Sequence, residues 1–302
     1  MAFRNVDEFN GLRVVRFEGE LPADPTTMMP RVSVLEAGGD LVALIRRLLA
    51  QPGSRQLRGL SIGAWAEPAE QGPRPVLAEL FDIADHLPSL TTMVFGDLGF
   101  EQCEVSWINN DELGPMLNRF PQLEAVLVRG GKGLGLADLD LPQLHTLVVQ
   151  TGGLDAGVVQ QLLDARLPAL RHLELYLGAE DHGATTTLPD VAPIISGHAF
   201  PGLRYLGIKN SEFQDEIAIA VSQSPLLPRL EVLDLSLGIL TDAGARALIA
   251  APALRQLREL NLSHHWLTDE MIARVQGLGI QVDVSDRMGR ADEDYRCVAI
   301  GE

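Results

Sequence analysis

The stretch Leu227–Gly244, LPRLEVLDLSLGILTDAG, places leucines three and then two residues apart and closes on a Thr-Asp pair. A short strand here directs Leu230, Leu233 and Leu235 toward one interior, while the residues between them point outward. Thr241 is a preferred helix N-cap, so a helix is predicted directly after it. One such strand cannot bury its apolar face alone, and we therefore expect neighbouring copies of the unit.

The unit recurs along the chain, with the first leucine of L-x-x-L-x-L at positions 57, 90, 123, 144, 170, 203, 230 and 257. A degenerate last strand, GIQVDV, begins at Gly279. The separations of 21 to 33 residues are typical of leucine-rich repeats. Apolar residues three and four apart follow several strands, as in LTDEMIARV and FQDEIAIAV, and predict a helix in each crossover.

The pattern predicts an α/β leucine-rich-repeat solenoid, or horseshoe, with a parallel sheet on the concave face and helices on the convex face. Residues 1–56 form the predicted N-terminal cap, with a strand in GLRVVRF and a helix in LVALIRRLLA. Residues 57–285 form about eight repeats and the degenerate strand. Residues 286–302 form a C-terminal tail that is either docked or frayed.

The L-x-x-L-x-L strands, the LTDAG helix starts and the repeat lengths of 26 and 27 resemble ribonuclease-inhibitor-like leucine-rich repeats. The layout, with GLRVVRF, LSIGAW and the closing ADEDYRCVAIGE, also resembles a family of bacterial cytoplasmic leucine-rich-repeat proteins with no settled biochemical role. The ninth repeat position departs from the usual Asn or Cys, so the backbone groups that an Asn ladder satisfies need other partners. It reads Trp65, Leu98, Gly131, Gly152, Gly178, Ser211, Gly238 and His265.

Composition excludes several classes of partner. The net charge of −17, from 24 Lys+Arg and 41 Asp+Glu, repels nucleic-acid phosphates and anionic lipid surfaces. The N-terminus has no apolar signal region, and no run is long enough to span a membrane. Cys103 and Cys297 are expected to be free thiols in a reducing compartment. We therefore expect a cytoplasmic protein with no cofactor, no nucleic-acid partner and no membrane partner.

The concave side of the sheet, here called the strand face, is formed by the third, fifth and seventh positions of each repeat. Its early part is small or apolar, and its later part is polar and aromatic. Tyrosine at a rigid, exposed strand position offers a large contact area at low entropic cost, which favours partner binding. Mixed polar residues on a solvated strand face are the alternative interpretation. The predicted binding residues of this face are His172, Glu174, Tyr176, Tyr205, Lys209, Asp234, Glu259 and Asn261.

The segments that lead from strand to helix form a rim with its own candidate residues, Trp65, Trp107 and Trp266. Insertions near Trp65, near Trp107 and after Gly178 account for the three repeats of 33 residues. Insertions on one edge often build a binding site. The alternative is that the tryptophans cover the ends of the core beneath long loops.

Signals of catalysis are weak. RGGKGLGL, from Arg129, lacks the order of a phosphate-binding loop, and SHHWLTDE, from Ser263, lacks a metal-ligand spacing. The sequence therefore favours a non-catalytic scaffold for a protein or peptide, with a basic patch on the partner complementing the negative charge. The alternatives are an enzyme or enzyme subunit with a rim site near His264, His265 and Asp283, and a small-ligand or glycan sensor using the aromatic rim.

Overall fold

The computed structural model describes residues 3–289 and 296–301, and the chain forms two compact units. The first unit holds the described residues up to Gln150 together with Asp164–Ala169. The second holds Thr151–Leu163 and the described residues from Leu170 to Gly301. Part of the predicted tail, residues 290–295 and 302, lies outside the described residues.

The strands of the first unit follow one another in chain order, with short helices in the crossovers. The strands are β1 (Glu8–Phe9), β2 (Leu12–Arg16), β3 (Met28–Val32), β4 (Gly59–Ile62), β5 (Thr92–Phe95), β6 (Ala125–Arg129) and β7 (Thr146–Gln150). The helices are α1 (Val34–Ala37), α2 (Leu41–Leu49), α3 (Arg74–Ile83) and α4 (Gly114–Leu117). β1 and β2 are antiparallel, and each later pair of neighbours is parallel.

The second unit repeats the same plan with helices of eight or nine residues. Its strands are β8 (His172–Gly178), β9 (Tyr205–Ser211), β10 (Val232–Asp234), β11 (Glu259–Asn261) and β12 (Gln281–Asp283), and neighbours pair in parallel. Its helices are α5 (Ala156–Asp164), whose last residue belongs to the first unit, α6 (Leu188–Ile195), α7 (Gln214–Ser222), α8 (Asp242–Ala250) and α9 (Asp269–Gln276).

The repeat leucines form a continuous core because equivalent positions lie opposite one another. Leu233 pairs with Leu206 on one side and Leu260 on the other, and none of the three is exposed. Full burial of each such side chain stabilises the fold by about 1.5–3 kcal/mol. The predicted α/β leucine-rich-repeat solenoid is confirmed. The short strand β12 lies within the segment of the predicted degenerate strand.

Near the N-terminus, β2 and α2 form where the sequence predicts them. The structure adds β3, which pairs in parallel with both β2 and β4. The pattern missed this strand because Pro30 lies in it, and a proline normally argues against an inner strand.

Asp and Thr side chains connect successive repeats at the starts of their helices. Asp215 in the first turn of α7 accepts a hydrogen bond from the Thr241 N–H at 2.8 Å. One repeat later, Asp242 accepts from the Thr268 N–H at 2.9 Å and its hydroxyl at 2.8 Å. Each aspartate thus binds the threonine that caps the helix of the following repeat.

Among the described residues, no helix has the length and apolar character needed to cross a membrane.

Candidate functional site

The strand face of the second unit brings together all of its predicted binding residues except Glu259. Their side chains form one set of hydrogen bonds, ion pairs and ring contacts, here called the strand-face cluster. Its members are His172, Glu174, Tyr176, Tyr205, Lys209, Asp234 and Asn261.

Lys209 lies at the centre of the strand-face cluster. Its ammonium nitrogen is 2.8 Å from Asp234 Oδ2 and 3.3 Å from Glu174 Oε2. The same nitrogen lies 4.9 Å from the centre of the Tyr176 ring, a favourable cation–π distance. Two carboxylates and an aromatic face therefore hold one buried cation.

A stacked pair of rings forms the more accessible part of the cluster. The ring centres of His172 and Tyr205 are 3.8 Å apart, and their planes differ by 10°. The Tyr205 hydroxyl donates to Asp234 at 3.0 Å, and His172 Nε2 lies 2.8 Å from Glu174 Oε1. Each ring is therefore held by a polar contact at its edge and by stacking on its face.

The environment moves the pKa values of four groups in the cluster away from neutrality. Burial would raise the pKa of Glu174, but the hydrogen bond with His172 and the charge of Lys209 outweigh it and lower the pKa. Burial would lower the pKa of Lys209, but Glu174 and the other neighbours raise it. Burial raises the pKa of Tyr176 and of Tyr205, where the charge of Glu174 adds to the effect. These four groups keep one protonation state around pH 7, which suits binding better than proton transfer.

The expected exposure of this face is wrong for several residues. Tyr176 is 6% exposed, Lys209 8% and Asp234 2%. Parallel strands lie about 4.8 Å apart, so side chains of successive repeats cover one another. His172, Tyr205, Asn261 and Glu259 remain partly exposed, and Glu259 pairs with its neighbour Arg258 at 3.3 Å instead of joining the cluster.

The sequence left the three tryptophans open between partner contacts at the rim and a cover over the ends of the core, and the structure distinguishes Trp107 from the other two. Trp65 is 6% exposed, donates from Nε1 to the Gln71 carbonyl at 2.8 Å and stacks on Phe95. Trp266 is 3% exposed and meets His264 edge-on at 5.2 Å. These two cover the core. Trp107 is 56% exposed and stays available for a partner at the rim of the first unit.

The insertion after β8 builds a rim cavity of about 510 Å³ within the second unit. Its lining includes Leu177, Phe213, three threonines and three glutamates that the sequence analysis did not single out, Glu180, Glu212 and Glu216. The start of this insertion needs glycine, because Gly178 has φ +76° and a Cβ there would lie 1.8 Å from the Gly152 carbonyl oxygen. No tryptophan lines this cavity.

The two adjacent histidines do not converge on a reaction site. His264 donates from Nε2 to the Cys297 carbonyl at 3.2 Å, and His265 donates from Nε2 to the Val284 carbonyl at 3.0 Å. His265 Nδ1 accepts from the Leu267 N–H, so both of its ring nitrogens are engaged. Burial lowers the pKa of both imidazoles.

Asp283, the third residue of the predicted rim site, is exposed and accepts a hydrogen bond from the Ser285 N–H. Within the described part of the chain, no cluster of His, Cys, Asp and Glu is suited to a metal ion.

Comparison with a solved structure supports the fold. No protein-family model matches this sequence, and no curated protein does. A protein of Bacteroides fragilis with a crystal structure from a structural-genomics consortium is similar, with a TM-score of 0.81 and 28% identity over 90% of this chain and 77% of that one. An internalin of Listeria monocytogenes gives a TM-score of 0.43 and 14% identity over 87% of this chain and 62% of that one. The similarity to the Bacteroides fragilis protein extends over nearly the whole chain and concerns the fold.

Proposed function

We propose that this chain is a non-catalytic recognition scaffold that binds a protein or peptide on the strand face of its second unit. One observation carries the proposal: the strand-face cluster holds a stacked His172–Tyr205 pair rigidly at a partly exposed position. A side chain that is already ordered loses little conformational entropy on binding, so its contact area contributes more fully to affinity. The leucine-rich-repeat fold supports the proposal, because such solenoids present extended binding surfaces.

Charge indicates the class of partner. The chain carries a net charge of −17, and Glu259 adds a partly exposed carboxylate beside the cluster. Complementary charge speeds the encounter and disfavours similarly charged competitors. We therefore propose a partner with a basic patch. The resemblance to bacterial cytoplasmic leucine-rich-repeat proteins favours a cytoplasmic partner.

Affinity capture from the native cells, read by mass spectrometry, tests the proposal. The wild-type chain is compared with the double variant His172→Ala, Glu259→Ala, which changes partly exposed side chains and spares buried Tyr176. Lys132→Ala, an exposed change in the first unit, is the control. We expect a partner that wild type and control retain and that the double variant loses by about tenfold or more, a loss of about 1.4 kcal/mol. If all three proteins retain the partner equally, the strand face is not its binding site.

The rim cavity favours small-ligand binding as a second candidate function. Its volume of about 510 Å³ falls in the usual range for small-molecule pockets. Three glutamates in its lining favour a ligand with a positively charged group. A thermal-shift screen of small amines tests this function. Amines that raise the melting temperature of the wild-type chain should leave that of the Glu212→Gln, Glu216→Gln variant unchanged.

A further inference from the structure

Three residues at or just after the ends of successive strands in the second unit share an unusual backbone conformation. Asn210, Leu237 and His264 have φ values of +55°, +69° and +60°, and they are spaced 27 residues apart. Such values are uncommon outside glycine, especially for a bulky residue such as leucine. These three residues form a row along the carboxyl ends of β9, β10 and β11, here called the strand-end row.

Residues 297–301 of the same chain lie along the strand-end row, and the contacts follow the repeats one by one. His264 Nε2 donates to the Cys297 carbonyl, and the Ala299 N–H donates to the Leu237 carbonyl at 2.8 Å. Asn210 engages both backbone groups of Ile300: its Oδ1 accepts from the N–H at 2.9 Å, and its Nδ2 donates to the carbonyl. These contacts are made to the backbone of the bound segment, which bends at Ala299, and do not depend on its side chains.

Side-chain burial adds a pattern to this backbone recognition. Val298 is 8% exposed and Ile300 is 4% exposed, while Ala299 between them is partly exposed. Gly301 follows in close contact with the His182 ring, since a Cβ on it would lie 2.6 Å from Nε2. The bound segment therefore has two branched apolar residues flanking a small one, followed by glycine.

The spacing of the strands is close to the reach of a segment of four residues. The two steps from β11 to β9 cover about 9.6 Å, because parallel strands lie about 4.8 Å apart. The three steps from Cys297 to Ile300 can cover at most about 10 Å, at about 3.3 Å per residue for a fully extended chain, and the bend at Ala299 shortens this span. A peptide crossing the strand ends can therefore meet each repeat in turn.

The first unit binds an extended segment at the same kind of edge. Asp97, just after β5, accepts from the Val6 N–H at 2.8 Å. Arg129, at the end of β6, donates to the Arg4 carbonyl at 2.9 Å. In both units, groups at the strand ends thus engage backbone that runs against the order of the repeats.

We propose that the strand-end row of the second unit is a recognition site for a short segment of a partner protein, held through its backbone, and that residues 297–301 occupy it as a competitor in the same chain. The segment that fits has a branched apolar, small, branched apolar pattern, because this is what the row holds. The site is formed by residues other than those of the strand-face cluster and goes beyond the function proposed above.

Competition gives the proposal a measurable consequence. A tethered segment acts at an effective concentration of about millimolar, so a free peptide of micromolar affinity binds poorly while the tail is in place. The probe is a fluorescein-labelled peptide with the sequence of residues 296–302 and Ser in place of Cys297. It is titrated by fluorescence anisotropy against the full chain and against the full-length variant Ile300→Asp, whose buried charge disfavours docking of the tail.

We expect the Ile300→Asp variant to bind the peptide at least tenfold more tightly than wild type. Adding Asn210→Gly should reverse this gain, since glycine accepts the left-handed backbone and removes only the two side-chain contacts. Ile219→Asp, at an exposed isoleucine of the same unit, is the matched control and should behave as wild type. His172→Ala should also leave peptide affinity unchanged, which separates this site from the strand-face cluster.

Val298→Asp provides a second release variant in case Ile300→Asp fails to fold. Peptide affinity at the wild-type level in both release variants would overturn the proposal. A wild-type dimer that exchanges tails, detected by sedimentation with fluorophores on Cys297, would also overturn it, because the row would then serve a second copy of this chain.

Discussion

At the scale of single residues, Lys209 decides how the strand face is held. Its ammonium group is buried with Glu174 and Asp234 at ion-pair distances and stays charged because those groups raise its pKa. The sequence could place Lys209 on the outward side of its strand. It could not show the burial, because that depends on side chains from repeats 25 or more residues away in the sequence.

Replacing Lys209 by methionine should destabilise the fold strongly. The change keeps the length of the side chain but leaves two carboxylates without their cation in a buried site, which costs about 3–5 kcal/mol. Urea unfolding measures the loss. The chain's other lysine, Lys132, is exposed, and Lys132→Met should change the free energy of unfolding by less than about 0.5 kcal/mol. Similar values for both variants would show that the buried cation does not organise the cluster.

Glu174 should contribute a pH-dependent part of the stability. Its pKa is lowered in the folded state, so its stabilising effect is present above its unfolded value of about 4.5 and is lost as pH falls through the folded pKa. Glu174→Gln removes this part. As pH falls from about 5 to 3, the free energy of unfolding should therefore decrease less for this variant than for wild type.

Urea unfolding at a series of pH values measures this difference. Glu259→Gln, at a partly exposed carboxylate outside the cluster, is the control for the loss of one carboxyl group. A Glu174→Gln curve parallel to that of wild type throughout this range would contradict the assignment.

At the scale of elements, local pattern and long-range register contribute differently. The leucine spacing and the Thr N-caps predict strands and helices correctly, because both signals lie within a few residues of the element they form. β3 was missed because Pro30 obscures its pattern. The Asp–Thr contacts were also missed, because Asp242 and Thr268 meet only when successive repeats stack in register.

Asp242→Ala should show that this contact couples neighbouring repeats. The change removes two hydrogen bonds to Thr268 and a favourable charge at the start of α8, together worth about 1–2 kcal/mol. Glu270→Ala, an exposed acidic residue in the first turn of α9, is the matched control and should cost about 0.3–1 kcal/mol. Thermal unfolding measures both. An Asp242→Ala loss no larger than that of Glu270→Ala would limit the role of Asp242 to its own helix.

At the scale of the whole molecule, the sequence predicted the repeat class and the strand-face residues but left the position of the C-terminal tail open between docked and frayed. The described part, residues 296–301, is docked, because Val298 and Ile300 find buried positions and Asn210 pairs with the backbone. The sequence of residues 298–301, VAIG, does not predict this docking, since the residues that hydrogen-bond to the segment lie 33 to 90 residues earlier.

Chemical footprinting of the histidines is the most direct test of partner binding on the strand face. Diethylpyrocarbonate modification is followed by mass spectrometry with and without the captured partner. His172 lies partly exposed in the strand-face cluster, and exposed His86 in the first unit is the internal control. We predict that the partner slows modification of His172 and leaves His86 unchanged. Equal modification of His172 in the free and bound chain would contradict recognition by this face.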